Sequence, residues 1–290
     1  SLPSIYSDVR GVILPEIQGI KERTRPLHIT LGNGTHVDTP EELRHGEYKN
    51  VLEEVALHED SLITGPSGCG KTFLAEQIAR HLSIEFGCIS FTAGVGESAL
   101  TGRFMPTGEE GAWEYGITRF LYLYENGGLF LMDEMDAADP NVLLVVNTAL
   151  SNGYIHLPCK DKPVIYRHPE FSLLATTNTA GRGADRVYAG RNALDAATWD
   201  RFQAGLIEMD FDTELERALT TNHELLEAAW AVRKQVRDND IRRVPVSTRT
   251  LIKVDRKMDN KGWDVKRAVQ QFVAGWTDRE KEQSLPEAYR

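Results

Sequence analysis

Between Gly65 and Thr72 the chain reads Gly65-Pro66-Ser67-Gly68-Cys69-Gly70-Lys71-Thr72, the pattern G-x-x-x-x-G-K-T. Such a run suits phosphates: glycines let backbone N–H groups wrap an anion at the positive end of a helix. Lys71 balances the β and γ charges, and the Thr72 hydroxyl can ligate Mg²⁺. Further on, Leu129-Phe130-Leu131-Met132 ends in two adjacent carboxylates. Asp133 suits the Mg²⁺ shell, and Glu134 suits polarising an attacking water, a general-base role that requires placement opposite the γ-phosphate. Asn178 follows the apolar run Phe171 to Thr177, and its amide could orient the same water or report the γ-phosphate. Arg201, in Thr198-Trp199-Asp200-Arg201-Phe202, and Arg249, in Ser247-Thr248-Arg249-Thr250, complete the set. A surface salt bridge would account for either arginine as well as chemistry does. A Gly-rich turn or a pair of solvated loop acids would explain either motif alone; together they point to nucleotide binding and hydrolysis.

Those side chains act only if the elements between them bring them to one edge. Ser61 to Thr64, Ile84 to Thr92, Leu129 to Met132, Phe171 to Thr176 and Gly205 to Met209 read as buried strands, and helical stretches separate them. Alternation of that kind predicts the α/β class, a parallel P-loop sheet sandwiched by helices, with ligands at the carboxyl ends of the strands. The phosphate loop then follows a strand and opens a helix over 72–82. A helix over 41–57 is expected from Leu43, Tyr48, Val51, Leu52 and Val55, with Thr39 as cap and Pro40 in the first turn. An Asn-Gly turn between Leu27 to Leu31 and Thr35 to Val37 suggests a hairpin. Beyond Asp212 the strand signals stop, and 213–240, 247–258 and 264–276 read as helices of a small lid domain, with Arg249 beginning one of them. The expected organisation is an N-terminal extension over 1–41, a nucleotide-binding domain over 42–212, a helical lid over 213–277 and a tail over 278–290. Residues 1 to about 20 and 278–290 are expected to be loose.

With 290 residues and 41% apolar content the chain can bury a substantial core. A formal net charge of -10 disfavours a surface built for phosphate backbones, although 231–267 carries 12 Lys and Arg against 5 Asp and Glu. Apolar runs are strand-length, and Ser1 to Arg10 lacks the order of a signal peptide, so a cytoplasmic protein with no membrane association is expected. Cys69, Cys88 and Cys159 are too widely spaced for a zinc site, and His156 and His168 are expected to be structural.

The order phosphate loop, Leu-Phe-Leu-Met-Asp-Glu, Ala-Thr-Thr-Asn-Thr, Asp-Arg-Phe and Ser-Thr-Arg resembles AAA+ ATPases over roughly 42–275. More narrowly it is similar to the MoxR and cobaltochelatase-subunit branch, with the CbbQ/NorQ-type activators and phage-encoded relatives. Supporting phrases include Thr101-Gly102-Arg103-Phe104, Leu150-Ser151-Asn152-Gly153 and Gly190-Arg191-Asn192-Ala193-Leu194. The resemblance implies an ATPase using ATP and Mg²⁺, with Asn178 as sensor 1, Arg249 as sensor 2, and Arg201 as an arginine finger on a neighbour's γ-phosphate. It therefore implies a homo-oligomeric ring, usually of six, acting on a partner protein, with a von Willebrand A-type client as one candidate. It also implies inserted hairpins over 98–118 and 153–168, where exposed aromatics could grip a substrate; packing of Trp113 and Tyr115 against the core is the alternative. The competing function is the ATPase subunit of a nucleic-acid-processing, restriction-like or phage DNA complex.

Overall fold

Near the start of the described chain, β1 (Leu27–Thr30) pairs antiparallel with β2 (His36–Thr39), so that Leu27 lies opposite Thr39. The computed structural model describes residues 20–290 apart from 32, 33, 35, 109, 110, 180, 186, 242 and 244. Part of the expected Asn33-Gly34 turn and the expected loose start at 1–19 lie outside those residues. Thr39 does not cap a helix. Its hydroxyl accepts the Leu27 N–H at 3.1 Å and the Arg44 guanidinium at 2.9 Å, and buried Arg44 also donates to the Arg25 carbonyl at 2.6 Å. Those bonds hold the stretch after β2 out of helix, so α1 begins only at Tyr48 (Tyr48–Ala56).

Along the chain follow β3 (Ser61–Thr64), α2 (Lys71–His81), β4 (Phe86–Ser90), α3 (Ser98–Thr101), β5 (Arg103–Pro106), β6 (Trp113–Gly116), α4 (Arg119–Asn126) and β7 (Gly128–Asp133). Next come α5 (Pro140–Asn152), β8 (Tyr154–His156), β9 (Val164–Tyr166), β10 (Phe171–Thr177), α6 (Ala196–Phe202) and β11 (Leu206–Glu208). The main sheet runs β11-β3-β10-β7-β4 with every pair parallel. The continuous apolar run of β7 suits a central strand because successive side chains enter opposite faces. Phe130 and Met132 join one core with Phe120, Tyr124 and Phe171; Leu129 and Leu131 join the other with Val51, Leu74 and Ile78. Each fully buried side chain of that size contributes roughly 1.5–3 kcal/mol.

Two hairpins leave this frame, β5–β6 and β8–β9, both antiparallel. Then α7 (Thr213–Leu219), α8 (His223–Asp238), α9 (Thr248–Lys261), α10 (Val265–Phe272) and α11 (Asp278–Ser284) follow, and α8, α9 and α10 share a third core around Leu226, Val232, Leu251 and Val269, joined by Leu285 just past α11. The stretch 213–240, read from sequence as one helix, is two. Buried Asp255 on α9 accepts the N–H groups of Thr221 and Asn222 and the Thr221 hydroxyl, and Asn222 then caps α8 through the Leu225 N–H. The stretch 278–290 is not loose: a capping box of Thr277 and Glu280 starts α11, and Leu285 is buried in the third core. No described helix is long and apolar enough to cross a membrane.

Candidate nucleotide-binding site

The phosphate loop leaves β3 at a position that only glycine fits. A Cβ on Gly65 would lie 1.9 Å from the Met209 carbonyl oxygen, at the end of β11. Gly70, at φ +111°, turns the chain into α2, a left-handed conformation that other residues rarely adopt. Lys71 then opens the helix with its side chain folded back into the loop. Its Nζ donates to the Gly65 carbonyl at 2.7 Å, the Pro66 carbonyl at 3.1 Å and Asn178 Oδ1 at 2.9 Å. Burial disfavours the charged amine and lowers its pKa, against the pull of Cys69 and of the carboxylates of Asp133, Asp136 and Glu134. Desolvation also raises the pKa of the neighbouring Cys69 thiol, against the pull of Lys71.

The acidic strand end meets the loop from below. The Thr72 hydroxyl donates to Asp133 Oδ2 at 3.0 Å, and Thr176 on β10 donates to Asp133 Oδ1 at 2.6 Å. Glu134 takes a left-handed backbone (φ 58°, ψ 42°), with its N–H on the Thr176 hydroxyl at 3.0 Å. Thr176 therefore fixes both acids from the adjacent strand. Across the opening, the first turn of α9 rests on the loop: the Arg249 N–H donates to the Gly68 carbonyl at 3.3 Å. A Cβ on Gly68 would come within 2.7 Å of Ser247, so the helical bundle closes directly on the glycines.

Between these walls lies a cavity of about 570 Å³, lined among others by Gly70, Lys71, Thr72, Glu134, Asn178 and Arg249. Leu215, Leu219, Ile252 and Met209 add apolar side chains to the same lining. A lining that combines backbone N–H and charged groups with apolar side chains has the mixed character of a small-molecule site.

Arg201 is elsewhere. It occupies the last turn of α6, just before the edge strand β11, and the start of α6 is capped by Asp195 accepting the Thr198 N–H at 2.6 Å. It is not among the residues lining the cavity, and its Nε is buried with no acceptor among the described residues.

Two charged residues at the site carried no sequence signal of their own. Asp136 is fully buried, accepting the Asn178 N–H at 3.1 Å, the Thr179 hydroxyl at 2.9 Å and Arg191 Nη1 at 3.2 Å. Arg191 also donates through Nη2 to Glu134 Oε2 at 3.1 Å. Arg191 lies in one of the motifs above and Asp136 in none, and their meeting across 55 residues has no local pattern.

The hairpins divide the two readings of their aromatics. Trp113 is 63% exposed and Phe104 47%, whereas Tyr115 packs against the core and donates its hydroxyl to the Thr101 carbonyl. In β8–β9, Ile155 and Ile165 are buried while Tyr166 is exposed. Among the described residues no group of three or more His, Cys, Asp or Glu side chains could hold a metal ion.

Comparison with known proteins gives the same frame. Residues 60–202 match the family described as AAA domain (dynein-related subfamily). The chain is 28% identical over 156 residues to the aerobic cobaltochelatase subunit CobS of Sinorhizobium sp, covering 52% of this chain and 47% of that one. It is 28% identical over 184 residues to the protein NorQ of Paracoccus denitrificans, covering 63% and 64%. With the gas vesicle ATPase GvpN1 of Halobacterium salinarum the identity is 26% over 215 residues, covering 63% and 60%. The chain thus spans about half the length of the first relative and under two thirds of the others.

Proposed function

This chain belongs to the AAA+ ATPases, through the AAA domain of the dynein-related subfamily in residues 60–202, and we propose that it hydrolyses ATP with Mg²⁺ as one subunit of a ring that remodels or activates a partner protein. The convergence of Lys71, Thr72, Asp133, Glu134 and Asn178 in the lining of one cavity carries this reading.

Thr72 and Asp133 fit Mg²⁺. They offer hard oxygen donors 3.0 Å apart, and a single carboxylate suits an ion that takes its remaining ligands from phosphate and water. Mg²⁺ bound there would neutralise charge on the β and γ oxygens. Lys71, released from the Gly65 and Pro66 carbonyls, binds the same oxygens. Glu134 accepts a proton from water as the oxygen attacks the γ-phosphorus and the bond to the β-phosphate oxygen breaks, leaving ADP and phosphate. Asn178, already bonded to Lys71, orients the water or the γ-phosphate. Arg249 acts from the helical bundle, and Arg201 reaches the γ-phosphate of an adjacent subunit, most simply in a six-membered ring.

Similarity to a cobaltochelatase subunit and to NorQ supports a partner-directed role, with a von Willebrand A-type protein as the client to test. The experiment is ATP turnover per subunit against protein concentration. Specific activity should rise as rings form and vanish in Lys71→Ala. Flat activity from dilute to concentrated protein would overturn the ring, and turnover surviving Lys71→Ala would overturn the site.

A further inference from the structure

The geometry points to Arg191 as a positioning residue for the Glu134 carboxylate, with Asp136 as its buried anchor; the inference rests on Glu134 being the general base. Glu134 stands at the end of β7 with its side chain 40% exposed, and a carboxylate so placed is free to swing among rotamers. A base must instead be held within hydrogen-bond reach of its water. Arg191 supplies that hold. Its guanidinium is a rigid fork, one prong on Glu134 Oε2 at 3.1 Å and the other on Asp136 Oδ1 at 3.2 Å. The arrangement leaves Glu134 Oε1 to accept the proton.

Arg191 is itself fixed at both ends. Asp136 cannot move, because it is fully buried and bonded to the backbone N–H of Asn178 and the hydroxyl of Thr179 at the end of β10. The loop carrying Arg191 is closed at its base by the Leu194 N–H on the Gly181 carbonyl at 3.0 Å. At its tip the Tyr188 hydroxyl accepts the Ser67 N–H of the phosphate loop at 2.9 Å. Beside Arg191, the Asn192 N–H donates to the Asp136 carbonyl at 2.7 Å. The base is thereby referenced to the phosphate loop and to the strand bearing Asn178, the two elements that place the γ-phosphate. Support of this kind around a reacting group is what sets its precision.

A purely structural arginine would only neutralise buried Asp136, and kinetics separate the two. Arg191→Gln should lower kcat roughly 10- to 100-fold, the scale of a misplaced catalytic group, with the ADP dissociation constant changed by less than about twofold. Arg191→Lys should recover part of the loss, since one ammonium cannot serve both carboxylates as a fork does. In single-turnover assays Arg191→Gln should add nothing to Glu134→Gln, because both act through one carboxylate. Asp136→Asn, which keeps its acceptor oxygen, should reproduce the kcat defect in milder form. Unchanged or increased kcat in Arg191→Gln overturns the inference, as does a loss that multiplies with Glu134→Gln. A kcat loss matched by equal losses of ADP affinity and Tm in both Arg191 variants overturns it too. If Glu134→Gln itself keeps turnover, the reading of Glu134 as base fails; if Glu134→Gln stops turnover and Arg191→Gln does not, only the positioning role fails.

Discussion

The carboxyl edge of the sheet and the last turn of α6 hold two kinds of charged residue, one lining the cavity and one outside it, and they are built differently. At the sheet edge the side chains assigned to the reaction are bonded to one another, Lys71 to Asn178, Thr72 to Asp133, Thr176 to Asp133 and to the Glu134 N–H, Arg191 to Glu134, although the Thr177 hydroxyl is buried without a partner among the described residues. At α6 the Arg201 Nε is buried without an acceptor among the described residues, and the side chain lies outside the cavity lining. On the proposed function the first group acts within its own subunit and is preorganised there, while the second completes its contacts on another.

Arg201→Ala tests that contrast most severely. Turnover should fall about 10³- to 10⁵-fold, the scale of trans-acting arginines in such enzymes, with nucleotide affinity unchanged. Mixing Arg201→Ala with Glu134→Gln chains should restore activity, because interfaces pairing one chain's Glu134 with the other's Arg201 are then intact. Full activity of Arg201→Ala alone would reduce the contrast to packing. Next in size, Glu134→Gln should cost about 10²- to 10⁴-fold in turnover while a fluorescent ATP analogue still binds; loss of binding would move Glu134 from the reaction to the fold.

Lys71→Ala should weaken nucleotide affinity roughly 10- to 100-fold in calorimetry, the worth of a charged hydrogen bond or two. Because burial lowers the pKa of Lys71 and bound phosphate favours its charged form, affinity should be full at lower pH. It should decline as pH rises, before an ordinary lysine would titrate. In Lys71→Ala that dependence should be absent. The smallest effect belongs to the surface. Trp113→Ala, 63% exposed on β6, should change stability in urea by no more than about 0.5 kcal/mol, and a larger loss would show that the hairpin is part of the core.

Much of this was legible in the sequence where the signal is local. The phosphate loop is a contiguous pattern, and β7 and β10 are apolar runs whose length and composition have one reading in a parallel sheet. What was misread depends on distant partners. Thr39-Pro40-Glu41 has the residues of a helix start, but Arg44 and Leu27 claim Thr39 first. Thr221 and Asn222 would continue a helix if Asp255, over 30 residues away, did not take their N–H groups. The tail looked unanchored because the burial of Leu285 is visible only once α8 and α10 are assembled. Arg191 was part of a quoted phrase, yet nothing in its neighbours says that its guanidinium ends on two acids of another segment.

The left-handed backbone of Glu134 has a bearing on how this protein can be engineered. A residue other than glycine at φ 58° holds that shape against its own preference, at about 1 kcal/mol. Substituting glycine would relax the turn after β7 while deleting the carboxylate. A campaign that selects for heat resistance alone, or a consensus built on foldability, would therefore be drawn toward erasing a side chain on which turnover is proposed to depend.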